Sequence, residues 1–190
     1  MNEIEILKDI QHKNIVRIVA TSMNLPKNIY ICTEFMNNND LLKFLKTKIH
    51  LNKFIIVRIL RQITSALLYL IQNNIIHRDL RCENIFVGNN CLIKLGNFGL
   101  ARKLDNINKH YQIRSNIKES KYYVVFLSYL FSTKIELILI SDLSIRYTAP
   151  ELISPHHDSV YKIYNEKTEV WSFGVLFYEI LTKGELPYKG

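Results

Sequence analysis

The chain has 190 residues, 48% of them hydrophobic and 11% aromatic, which is enough apolar material to bury a core and excludes a disordered chain. Lysine and arginine outnumber aspartate and glutamate by 25 to 17, giving a net charge of +8, but the cations are scattered along the sequence. No nucleic-acid surface is expected from such a distribution. The cysteines, Cys32, Cys82 and Cys91, form no CxxC pair and are odd in number, which argues against a disulfide framework or a zinc site and fits a reducing, cytoplasmic setting.

In chain order, MNEIEILKDIQ reads as an amphipathic helix with Ile4, Leu7 and Ile10 or Gln11 on one face, without the layout of a signal peptide. HKNIVRIVAT and NIYICTEFM have strand character with the turn signal LPKN between them, which predicts a hairpin. Asn39 or Asp40 caps a short helix over LLKFLKTK, and residues 53–72 set Ile56, Leu60, Ile63, Leu67 and Ile71 on one stripe of a long buried helix. NIFVG and CLIKL, joined by turn residues, predict a second small hairpin, followed by a polar loop rich in Lys and Asn.

The run YYVVFLSYLFST at residues 122–133, with IELILI beyond Lys134, is strongly apolar. Lys134 and Glu136 break it before the roughly 18 residues a membrane span needs, so a buried or aggregation-prone strand is expected and a transmembrane span is not. The tail TEVWSFGVLFYEILTK predicts a helix over residues 168–183 with Val170, Phe173, Leu176 or Phe177 and Ile180 in register, stopped by Gly184.

The densest chemistry is HRDLRCEN at residues 77–84, every defining letter of the pattern H-R-D-L-x-x-x-N. NFG at residues 97–99, APE at residues 149–151 and VWSFG at residues 170–174 follow in order. On these motifs the sequence resembles the protein kinase superfamily. Arg81 after HRDL, with IYICTEFM, LLKFLK, NFGLAR and VWSFG, is similar to the tyrosine kinases, most of all the Src-like non-receptor type.

The resemblance implies an α+β, two-lobed kinase-like fold in truncated form. Residues 1–36 would be the remainder of the N-lobe and the hinge, with the C helix and following strands but no glycine-rich loop. Residues 37–190 would be a partial, mostly helical C-lobe lacking its last helices, with an atypical insert at about 119–144. The implied activity is ATP- and Mg2+-dependent phosphoryl transfer to the tyrosine of a protein substrate. Asp79 would accept the hydroxyl proton, Arg81 would attend the phosphate, and Asn84 and Asn97 would face the metal.

By the same resemblance, Glu3 stands where the family pairs its ATP-positioning Lys, Thr33 at the gatekeeper position, and Glu34 to Met36 along the hinge that binds adenine. Phe86 takes the place of the adenine floor. Leu7, Ile18, His77 and Phe98 map onto the apolar column between the lobes, and Tyr111 is the candidate phosphosite, with Arg78 as its phosphate partner.

Two departures stand out. Asn97 puts a neutral amide where the family has the metal-bridging Asp, which removes a charge from the cation site. Glu169 replaces the Asp that ties down the catalytic loop, and its extra methylene is expected to displace that anchor. Both favour an alternative role as a pseudokinase, a regulatory or interaction module without chemistry.

Overall fold

A computed structural model describes residues 2–24, 28–47, 51–104, 107–114, 145–153 and 161–188. The apolar insert at 119–144 and most of the LPKN turn lie outside the described residues. Helix α1 (Asn2–Leu7) opens the chain and is shorter than its amphipathic pattern predicts, because the chain turns after Leu7, with Ile10 N–H donating back to Leu7 C=O at 3.3 Å. Strands β1 (Ile18–Asn24) and β2 (Asn28–Thr33) form the expected antiparallel hairpin, with Ile18 opposite Thr33.

Helix α2 (Leu41–Lys46) is capped by Asp40, whose carboxylate accepts from Lys43 N at 2.8 Å. Helix α3 (Lys53–Gln72) starts at Asn52, whose side chain accepts from Ile55 N at 3.0 Å. Each cap satisfies an N–H that has no partner inside its helix. The buried stripe of α3 is Ile59, Ile63, Ala66, Leu67 and Leu70, rotated from the predicted one; Ile56, Leu60 and Ile71 are half-buried on its flank. By length and composition α3 could cross a membrane, but its stripe belongs to a core shared with α1, α2 and the small strands that follow.

Those strands are β3 (Ile75–Ile76), β4 (Ile85–Val87), β5 (Ile93–Leu95) and β6 (Arg102–Lys103). β4 and β5 pair as the second predicted hairpin, and β3 pairs with β6. The polar loop thus carries more order than its composition predicts. Within it, β7 (Tyr111–Arg114) also pairs with β8 (Tyr161–Tyr164) beyond helix α4 (Pro150–Ile153). That pairing is long-range and has no local sequence signal.

Helix α5 (Glu166–Leu181) begins at Asn165, which forms a reciprocal capping box with Thr168. It ends where Gly184, at φ +89°, donates to Glu179 C=O at 2.8 Å. A Cβ there would lie 2.5 Å from Leu42 Cδ1, so Gly184 both ends α5 and lets α2 approach. Val175, Leu176 and Ile180 face the core while Val170 is exposed, another rotation from the expected stripe. In both helices the stripe is turned because long-range neighbours, absent from a single-helix pattern, decide which face is covered.

Candidate active site

The HRDLRCEN loop connects β3 to a single 3-10 turn, Cys82–Asn84, that leads into β4. Its backbone is held from below by Glu169, a buried residue of α5. One carboxylate oxygen accepts from His77 N at 3.1 Å and the other from Arg78 N at 2.7 Å. The expected displacement of this anchor by the extra methylene does not occur: the longer side chain still chelates two successive amides. Burial pushes the Glu169 carboxyl up to about 7, the amides of Arg78 and His77 pulling against it.

His77 is fully buried. Asp79 N–H donates to its Nδ1 at 3.3 Å, so Nδ1 is unprotonated and Nε2–H donates to Gly96 C=O at 2.9 Å. Burial lowers the ring's pKa, which keeps this neutral tautomer. Phe98, also fully buried, meets the ring edge-on with centroids 4.8 Å apart. Leu7 is buried and Ile18 half-buried against the same core, so the four residues of the predicted column share one apolar cluster with His77 at its polar end.

Asp79, Asn84 and Asn97 come together. Asn84 Nδ2 donates to Asp79 Oδ2 at 2.7 Å and to Asp79 C=O at 2.8 Å. Asn84 Oδ1 accepts from Asn97 Nδ2 at 2.8 Å. Asn97 sits in the left-handed region, φ 59° and ψ 68°, a conformation that Asn tolerates better than most residues. No hydrogen bond among the described residues holds Asp79 Oδ1, which leaves that oxygen available to an acceptor hydroxyl. The three residues supply one carboxylate and two amides, and both the Asn84 oxygen and one Asp79 oxygen are already used. Among the described residues no three His, Cys, Asp or Glu side chains cluster as a metal site. As it stands this donor set does not fit a divalent cation.

Arg81 is taken up by Glu83, with Nε donating to one oxygen at 2.8 Å and Nη2 to the other at 2.5 Å. That bidentate pair holds the guanidinium charged and the Glu83 carboxyl low despite partial burial. Arg78 adopts φ +70° and lays its guanidinium 4.2 Å from the Tyr164 ring and 5.3 Å from the Tyr111 ring. Arg102 also approaches Tyr111, at 5.8 Å. The sequence reading missed Glu83 and Tyr164. An acidic residue two places from Arg81 was a readable signal, whereas Tyr164 reaches Arg78 only through the β7–β8 pairing.

On the opposite side, Glu3 Oε1 accepts from Phe98 N at 3.0 Å, so the carboxylate of α1 fastens the NFG backbone. Glu34 Oε1 accepts from Arg17 N at 2.8 Å and from Lys94 Nζ at 2.6 Å. Burial works to raise the Glu34 carboxyl, but these partners outweigh it and hold it low. Thr33 ends β2, and the segment after Met36 runs beside β4 through Asn38 N to Val87 C=O and Val87 N to Asn39 C=O, both 2.9 Å. Asn14, another residue the sequence reading missed, is buried at the base of β5 and donates to Ile93 C=O at 2.8 Å.

Phe86 explains Gly96. A Cβ on Gly96 would lie 2.6 Å from Phe86 Cε2 and 3.2 Å from Val16 Cγ2, so the large ring of Phe86 is accommodated by the missing side chain before Asn97. Gly96→Ala is expected to cost about 1–3 kcal/mol by overpacking, and Phe86→Leu in the same chain to restore most of it. Chemical denaturation of the two single variants and the double variant measures the coupling; additive losses would contradict the contact.

An HRDLRCEN loop anchored on the buried Glu169 carboxylate, an NFG turn packed on His77 and a segment after β2 running beside β4 are the arrangement expected of a protein kinase domain. The protein kinase domain family matches residues 1–190, and the chain belongs to that family. It is 34% identical over 196 residues to human tyrosine-protein kinase FRK, covering 100% of this chain and 32% of that protein. The chain spans about a third of that relative's length.

Proposed function

We propose that this domain binds ATP against the hinge residues Thr33, Glu34 and Met36 and the floor residue Phe86, and transfers its terminal phosphoryl group to the tyrosine of a cytoplasmic protein substrate. The observation that supports this most is the placement of Asp79, on a loop clamped by Glu169 with one carboxylate oxygen held by Asn84 and the other open. In the transfer, the acceptor hydroxyl gives its proton to Asp79 Oδ1, its oxygen bonds to the phosphorus, and the bond to the leaving ADP oxygen breaks. Kinase domains of this family generally work on ATP with Mg2+. Opening the Glu83 pair would free Arg81 for the phosphate, and the guanidinium groups of Arg78 and Arg102 beside the Tyr111 ring support reading Tyr111 as a phosphosite.

A second reading, a regulatory module without chemistry, draws support from the bond between Asn97 and Asn84. Phosphate incorporation into a tyrosine peptide by the full-length protein separates the two. Loss of at least 100-fold in Asp79→Asn is expected, on the scale of general-base contributions of ~10²–10⁴; equal rates in the two proteins would leave only the module.

A further inference from the structure

The geometry points to an internal replacement for the divalent cation: the Asn97 side-chain amide occupies the place of the metal, so that a nucleotide bound here binds as free ATP, without Mg2+. This rests on the reading that the site takes ATP.

The amide orientations are not arbitrary. Asn84 Nδ2 faces two acceptors, both belonging to Asp79, at 2.8 and 2.7 Å. Turning Asn84 over would set its oxygen against those oxygens, so its Oδ1 must face Asn97. Only the NH2 of Asn97 satisfies that oxygen, and the two nitrogens and oxygens fall in one chain of donors and acceptors from Asn97 through Asn84 to Asp79. The backbone of Asn97 is fixed on both sides, by the His77 bond to Gly96 C=O and by the Glu3 bond to Phe98 N. Swinging the side chain away therefore has no help from the main chain.

In a metal-loaded kinase site the cation is what pulls an Asn oxygen and a carboxylate together. Here a relay of amide N–H bonds does so, Asn97 Nδ2 donating to the Asn84 oxygen and Asn84 Nδ2 to the Asp79 carboxylate, and of these three side chains only Asp79 carries charge. A cation entering the site would have to break the 2.8 Å bond, rotate Asn97 and accept a neutral oxygen where its relatives offer a carboxylate. Mg2+ dehydrates reluctantly and favours charged oxygen ligands, so each of these changes acts against it. Replacement by Asp reverses all of them: the donor becomes a second acceptor, repels Asn84 Oδ1, and restores the negative charge.

The test uses the full-length protein, its Asn97→Asp variant, Mn2+ as a relaxation probe and a non-hydrolysable ATP analogue. Mn2+ titrated alone and with the analogue should bind the variant at least 10-fold more tightly than the wild type. In EDTA the wild type should bind the analogue within about 2-fold of its affinity in Mg2+, whereas the variant should lose affinity when Mg2+ is removed. Equal Mn2+ affinity in the two proteins, or a wild type that needs Mg2+ for the analogue, overturns the proposal. If neither protein binds the analogue, the ATP reading fails instead; the Mn2+ comparison without nucleotide still decides whether Asn97 blocks the cation.

Discussion

Glu169→Ala should lower the unfolding free energy by about 2–5 kcal/mol, since it strands the buried amide of His77 and the part-buried amide of Arg78, each worth roughly 1–3 kcal/mol when left unpaired. Glu169→Asp should lose less, because a shorter carboxylate still offers two acceptors. Urea titration at constant pH measures both, and a loss below about 1 kcal/mol in the Ala variant would show that water replaces the carboxylate.

The same residue sets a pH dependence. Burial raises the folded carboxyl to about 7 from an ordinary 4.5, so between those values the folded state binds more protons than the unfolded one. Stability therefore falls as pH rises from about 4.5 to 7 and levels above it, by up to about 3 kcal/mol. Glu179, buried and also raised, adds the same sign, while Glu34, Asp40 and Glu83, all lowered, act the other way at more acidic pH. The difference between wild type and Glu169→Gln isolates the one carboxyl. The wild-type stability minus that of the variant should fall steadily as pH rises across that window, and a constant difference would refute the assignment.

Phe98→Ala carries the second large effect. The ring is fully buried between the core and His77, and its removal leaves a cavity that costs about 3–5 kcal/mol. In a domain of this size that corresponds to a fall in Tm on the order of 10 °C. Because Glu3 binds the backbone N–H of Phe98 and not its ring, that bond is kept in the variant. Calorimetry should register the loss of packing, while amide exchange at residue 98 should stay slow relative to its neighbours. Fast exchange there would mean that the ring, and not Glu3, holds the NFG turn.

Much of the site was legible because kinase motifs are local. HRDLRCEN puts Asp79 and Asn84 on one short turn, and their side chains can meet by spacing alone. The cap at Asp40, one of the two residues offered for it, the two hairpins and the Gly184 stop follow from residue types whose preferred conformations are set by their own side chains, whereas the Asn52 cap was not called. Helix faces were less legible. The stripes of α3 and α5 are turned from their predicted positions because coverage depends on which distant elements arrive, and hydrophobic residues such as Val170 remain exposed.

The sequence by itself determined the family, the HRDLRCEN loop and the exchange of a carboxylate for an amide at Asn97, since each is a matter of residue identity at a spacing. Only the tertiary structure decided what two of the departures mean. Glu169 keeps the anchor it was expected to lose, because from α5 its two carboxylate oxygens still reach the amides of His77 and Arg78. Asn97 does more than subtract a charge, because the fold brings its amide to 2.8 Å from Asn84. Hydrogen-bond direction depends on which atoms face each other across the fold, and that is information no single segment carries.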